Sequence, residues 1–103
     1  MSTERDYHAA KHDKGKPRPS LLPVQGLRGV MEVLEFGAQK YASASWQTVP
    51  DARSRYLDAA LRHLLEVVEY GLDAVDEESG LPAIAHAACD LLFLVHFVKE
   101  DKQ

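Results

Sequence analysis

Cysteine occurs once in the 103 residues, at Cys89. A lone thiol closes no internal disulfide and builds no thiolate zinc site, which suits a reducing compartment. Cationic residues are in the minority, 12 Lys and Arg against 16 Asp and Glu, for a net charge of -4. With no basic excess to neutralise a duplex backbone, nucleic acid is not an expected partner. Long apolar runs are missing: the longest, Leu91–Val95, is far short of the roughly 20 residues that span a bilayer. The charged N-terminus, MSTERDYHAAKHDKGK, has no apolar signal-peptide core. No membrane association is expected, and the expected compartment is the cytoplasm. Neither GxSxG nor a Walker or GxGxxG glycine pattern occurs, which removes the usual handles for a serine nucleophile or a glycine-loop phosphate cradle. Period-two alternation, the strand signal, is absent too.

What is present is an ordinary globular balance, 46% hydrophobic and 27% charged, in a length suited to one domain over residues 1–103. The first 23 residues contain three of the five prolines, Pro17, Pro19 and Pro23, with Gly15 and a basic group of Lys11, Lys14, Lys16 and Arg18. Proline removes a backbone donor and disfavours helix in the residue before it, so 1–23 reads as an extended basic arm. Three helices are expected after it, over Val24–Tyr41, Arg55–Gly71 and about Leu81–Lys99. In the first, Leu27, Val30, Met31, Leu34, Ala38 and Tyr41 share a face at 3.6-residue spacing. Gly71 is placed to cap the second, and Pro82 to open the third. Residues 42–54, with the only tryptophan, Trp46, and the acidic stretch 73–80 are read as loops. The third helix is apolar nearly all round, as a helix buried on several sides would be. The expectation is an all-α, compact bundle of three main helices with an N-terminal arm, completed by oligomerisation as a homodimer or homotetramer.

Polar residues set among apolar ones are the informative positions. On the third helix His86 and Asp90 are four apart and stack along one stripe with Phe93 and Phe97. A carboxylate buried there is costly unless paired or bound to a metal. The stripe is read either as a functional site or as a His–Asp hydrogen bond that fixes helix packing. On the second helix, Leu57, Ala60, Leu61, Leu64 and Val68 form the apolar face. Tyr56, Ala59, His63, Glu66 and Tyr70 run about 90° away, while Asp58, Arg62 and Glu69 look solvated. His63 with Glu66 is either a functional pair or an exposed helical pair. Glu32 and Glu35 in the first helix are three apart, a weak motif by itself. Glu35, Glu66 and Asp90 are carboxylates that helix packing can bring together, an oxygen-rich set suited to Mg²⁺ or Mn²⁺. Cys89, mid-helix, is expected to behave as a small core residue.

The ordered segments KHDKGKPRPSLLP, EVLEFGAQKY, SW, RYLDAALRHLL and EESGLPAIAHAACDLLFL resemble the phage dATP/dGTP diphosphohydrolase family. That family is related to the MazG-like all-α nucleotide pyrophosphohydrolases and includes the MazZ enzymes. The resemblance covers about residues 11–97. It implies cleavage of dGTP or dATP between the α- and β-phosphates, giving the monophosphate and pyrophosphate, with two or three Mg²⁺ or Mn²⁺ ions. In MazZ enzymes dGMP feeds synthesis of 2-aminoadenine for a modified phage genome, which would place the chain in the host cytoplasm. The wider group carries metal on EExxE in one helix and ExxD in the next. His63–Glu66 falls on the last four residues of the first motif, and Asp90 on the closing aspartate of the second. Arg62 and His63 replace the leading glutamates, and Ala87 that of ExxD.

The resemblance therefore implies Glu66, Asp90 and His63 as catalytic residues. Glu66 and Asp90 are the metal ligands that the resemblance implies, and Glu35, then Glu32 or His86, are the candidates for the ligands that the departures leave missing. Lys14, Lys16 and Arg18 are candidates to neutralise phosphate, with Lys40 and His86 as further substrate contacts. Tyr41 or Trp46 is a candidate platform for the purine, Trp46 having the alternative of a core plug. Two other functions fit the same fold. One is a non-catalytic helical oligomer that binds a nucleotide or protein; the other is a house-cleaning pyrophosphatase acting on a different nucleotide.

Overall fold

The computed structural model describes residues 14–101, so the expected arm before Lys14 lies outside the described residues. Helix α1 spans Val24–Lys40, α2 spans Ala52–Tyr70 and α3 spans Ala83–Asp101. Short 3₁₀ turns occupy Pro19–Leu21 and Ser45–Thr48. Among the described residues the only sheet-like pairing is one isolated bridge, Val75 with Pro82. The expected all-helical class is what is found.

Proline and glycine set the helix limits. Pro23 opens α1 by lending its carbonyl to the Leu27 N–H at 2.9 Å. Gly71, at φ 105°, closes α2 while its N–H reaches the Val67 carbonyl at 2.7 Å, the backbone freedom that glycine supplies at a helix end. Helix α2 begins three residues earlier than the sequence suggests. Asp51 adopts a left-handed conformation (φ 55°) that turns the chain into the helix. Pro82 stands just outside α3, its carbonyl accepting from the N–H groups of Ala85 and His86.

The three helices do not meet equally. Helices α2 and α3 pack along their lengths, α1 lies on α3, and α1 barely meets α2. Small residues let α1 approach: a methyl group at Gly29 would lie 3.7 Å from the Ala85 Cβ. Val33, Ala85 and Cys89 are the buried centre of that contact, with Val30, Leu34, Leu81 and Phe93 packed around it. Because α1 and α2 splay apart above α3, a wide cleft opens between them. No large side chain among the described residues is fully buried. Leu57, Leu61, Leu65 and Val68 of α2 and Leu91, Leu92, Val95 and Val98 of α3 are exposed, Val68 at 81%.

Candidate functional site

The cleft is an open cavity of about 1220 Å³ whose wall takes residues from all three helices and from the 42–50 loop. Its two ends differ in chemistry.

At one end, α2, the acidic loop and α3 bring together ionisable groups. The spacing of His63 and Glu66, three residues apart on α2, lets the His63 Nδ1 and a Glu66 carboxylate oxygen bond at 2.9 Å. The loop then folds back on itself. Asp76 donates its N–H to the Leu81 carbonyl at 2.8 Å, and the Gly80 N–H donates to the Asp76 carbonyl at 2.8 Å. This fixes the Asp76 side chain, which accepts the Ser79 N–H at 2.9 Å. The Ser79 hydroxyl accepts from the Leu81 N–H at 3.1 Å and shares a 2.7 Å hydrogen bond with the His86 Nε2. The His86 Nε2 also lies 3.7 Å from an Asp76 oxygen. The His63 and His86 rings stack at 4.8 Å. His63 and His86 line the cavity, and Glu66 and Asp76 stand beside them. One ligand atom each from His63, Glu66 and Asp76 lies within 4.8 Å of the other two.

The electrostatics follow from burial and bonding. Burial pushes the Asp90 carboxyl up to about 6, against the opposing pull of His63 and Arg62. Burial lowers the His86 pKa, only partly offset by Asp76, so the ring stays neutral at neutral pH. Burial alone would raise Asp76, yet the Ser79 hydrogen bonds and the nearby histidines outweigh it and hold the carboxyl below its ordinary value. The buried Cys89 thiol is pushed up to about 12, which leaves it an inert core group as expected.

At the other end the wall is aromatic. The Trp46 ring stacks on Phe93, with centroids 4.5 Å apart and planes 7° apart. Tyr56 lies 4.9 Å from Phe93 and its hydroxyl donates to the Trp46 carbonyl at 2.9 Å, which ties the loop to α2.

The family model described as dATP/dGTP diphosphohydrolase, N-terminal, matches residues 6–103. The chain belongs to that family. The dATP/dGTP diphosphohydrolase of Salmonella phage PMBT28 is 43% identical over 84 residues, which cover 82% of this chain and 28% of the relative. The chain thus spans less than a third of that relative's length. No solved structure gives a significant match.

For this member of the diphosphohydrolase family, the structure sorts the positions singled out in the sequence. Glu35, Lys40, Tyr41, Trp46, His63, His86 and Asp90 line the cavity, and Glu66 joins it through His63. Glu32 does not; it sits with Arg28 and Met31 at a shallow depression that Glu35 also borders. Lys14, Lys16 and Arg18 are exposed and outside the cavity wall. His86 is not bonded to Asp90, because the returning loop takes its Nε2 through Ser79, and Asp90 feels His63 and Arg62 instead. Trp46 plugs against Phe93, so the core alternative describes one of its faces. Asp76 was passed over because its stretch reads only as an acidic loop. The available signal is DEESG, residues 76–80, one residue ahead of Pro82, an Asx-type turn that aims an aspartate at the helix it precedes. Among the described residues no helix is long and apolar enough to cross a membrane.

Proposed function

We propose that this chain hydrolyses a purine deoxynucleoside triphosphate, dGTP or dATP, to the monophosphate and pyrophosphate with a divalent metal ion. The observation that carries the reading is the polar cluster of His63, Glu66 and Asp76 beside Asp90, at the end of a cleft with room for a nucleotide, in a chain of this family. The dimension of that cluster fits a cation, since ligand atoms 4.8 Å apart or closer need only a small contraction to reach bonds of about 2.0–2.2 Å. Two carboxylates and an imidazole form a mixed donor set, better suited to Mn²⁺ than to Mg²⁺. When bound, the ion would neutralise phosphate charge and lower the pKa of water.

The residues divide the remaining work. The Glu66 carboxylate fixes the His63 ring, and the Asp76–Ser79 turn fixes both its own carboxylate and His86. Asp90, a carboxylate with its pKa raised to about 6, is matched to accept a proton from water near neutral pH. Water attacks phosphorus in line, the bridging P–O bond between the α- and β-phosphates breaks, and pyrophosphate leaves. Glu35, which lines the α1 side of the cavity, is the further carboxylate of this reading. Tyr41, 61% exposed with Lys40 Nζ over its ring at 5.4 Å, offers its other face to the base. In this role dGMP would supply 2-aminoadenine synthesis for a phage genome.

The exposed leucine and valine rows on α2 and α3 support assembly with a second copy, in which each row covers the other as in a helical bundle. Light scattering at micromolar concentration should give a dimer or tetramer; a monomer would remove this part of the reading. The activity itself is tested by product analysis with dGTP, dATP, dUTP and dCTP, with and without Mn²⁺ or Mg²⁺. Metal-dependent release of pyrophosphate from a purine substrate is the expected result. No turnover of any nucleotide with either metal overturns it.

A further inference from the structure

Among the described residues three Lys or Arg side chains belong to the cavity wall, Lys40, Arg55 and Arg62, and they are not equivalent. Lys40 is held in an ion pair with Glu78. Arg53, on another flank of α2, is matched with Asp101 at 2.5 Å. Among the described residues no carboxylate lies within ion-pair distance of Arg55 or Arg62. That includes Asp58, which lines the same wall between them. Both residues are exposed and line the open cavity, with their donors uncommitted to an acid.

Their spacing gives the pair a direction. Seven residues are two turns, so both lie on one face of α2 with about 10.5 Å of rise between them. Between them the wall carries the small Ala59 beside Asp58. Arg62 directly precedes His63, so the strip runs into the polar cluster. A linear polyphosphate suits such a strip, because the planar guanidinium fork bonds phosphate oxygens in pairs.

We propose that Arg55 and Arg62 form a polyphosphate-binding strip on α2, which lays the triphosphate along the helix and presents its reacting end to the His63–Glu66–Asp76 cluster. The inference rests on the reading of the cleft as a nucleotide site. It moves phosphate recognition from the N-terminal basic group to the wall of α2. The pull of Arg62 on Asp90 agrees with a guanidinium close to the reacting end.

The test is calorimetric titration of inorganic tripolyphosphate into the full chain in EDTA, with dGTP as a parallel arm. Wild type binds both ligands, and its affinity falls as salt is added. R55Q and R62Q each weaken tripolyphosphate binding by about tenfold or more, the loss of a charge-assisted hydrogen bond. R62K restores only part of the affinity, since an ammonium lacks the fork, and R53Q binds as wild type. Far-UV circular dichroism verifies the helicity of each variant. Wild-type affinity in folded R55Q and R62Q overturns the strip, as does salt-independent binding or no tripolyphosphate binding by wild type. The hydrolase reading fails separately. Arginine-dependent tripolyphosphate binding without cleavage of any nucleotide leaves the strip standing, whereas nucleotide cleavage with an unchanged KM in both variants removes the strip alone.

Discussion

The polar and aromatic ends of the cleft are built by different physics. At the polar end, hydrogen bonds aim each group: Glu66 holds His63, and the turn of Asp76, Ser79 and Leu81 holds His86. The groups there are largely but not fully buried, their side chains keeping 13% to 38% of their exposure. At the aromatic end, orientation comes from Trp46 stacking on Phe93 and from Tyr56 packed at a tilt against the same ring, with a hydrogen bond from Tyr56 to the loop. Hydrogen bonds are directional but contribute little net stability each, while ring burial stabilises without setting a reactive geometry. Substitutions at the first end should therefore damage chemistry, and at the second end they should damage the fold.

The sharpest way to break that contrast is at Asp76 and Glu66. Asp76→Asn and Glu66→Gln keep size and most hydrogen bonds while removing a charged oxygen donor. Each is expected to lower pyrophosphate release by about 100-fold or more, with Mn²⁺ affinity reduced by about tenfold or more, as for loss of a metal ligand or its support. Thermal midpoints should move by only a few degrees. Unchanged turnover in both variants would remove the cluster from the chemistry. A collapse of the fold would mean that the two ends are not separable.

The opposite experiment is Phe93→Ala. Phe93 is half-buried beneath Trp46 and beside Tyr56, so truncation should cost about 2–3 kcal/mol, below the range for a fully buried ring. A urea midpoint reads the loss. Trp46 emission should shift to the red as its stacking partner disappears. Mn²⁺ affinity, measured by calorimetry below the unfolding range, should stay within about threefold. A large loss of metal affinity with little change in the urea midpoint would reverse the assignment of roles.

The same contrast explains what the sequence made legible. Helical periodicity marked α1 and α2, and near-continuous apolarity after Pro82 marked α3. Of the buried centre where α1 meets α3, Cys89 was legible as a core residue, whereas Val33 lies off the apolar face read for α1, whose Val30 and Leu34 pack around it while Leu27 and Met31 stay exposed. Boundaries were less legible, as at α2, whose start depends on the left-handed Asp51 rather than on a recognisable cap. In the cleft, His63, Glu66, His86 and Asp90 stood out as ionisable groups among apolar ones. Their partners did not. The bond from His86 to Ser79 and the approach of Asp76 to His63 depend on a loop returning to the helices, and helical spacing carries no information about such a return. Arg62 looked merely solvated for a related reason: it is exposed, but the surface it shares is the inside of a cleft that only the packing of three helices creates.

Asp90 lies between the two ends and gives the smallest effect, one that appears only against pH. Its carboxyl is raised from 3.8 to about 6 by burial, so the folded chain keeps a proton that the unfolded chain releases. Below about pH 4 both states are protonated and Asp90 costs nothing. As pH rises from about 4 to about 6 the unfolded state loses its proton first, and stability falls across that window. Above it both states are charged and the full penalty remains. Since the group is partly solvated, the penalty is about 1 kcal/mol rather than the larger value the whole shift would imply. Asp90→Asn removes the charge in a side chain of nearly the same shape. In EDTA, the variant should match wild type at pH 4 and unfold several degrees higher at pH 7.5, where about 1 kcal/mol corresponds to roughly 4–8 °C for a domain of this size. Activity should fall in the same variant, because the carboxylate that burial makes costly is the one proposed to accept a proton. A variant that loses activity without gaining stability at pH 7.5 would show that His63 and Arg62 already compensate the Asp90 charge in the folded chain.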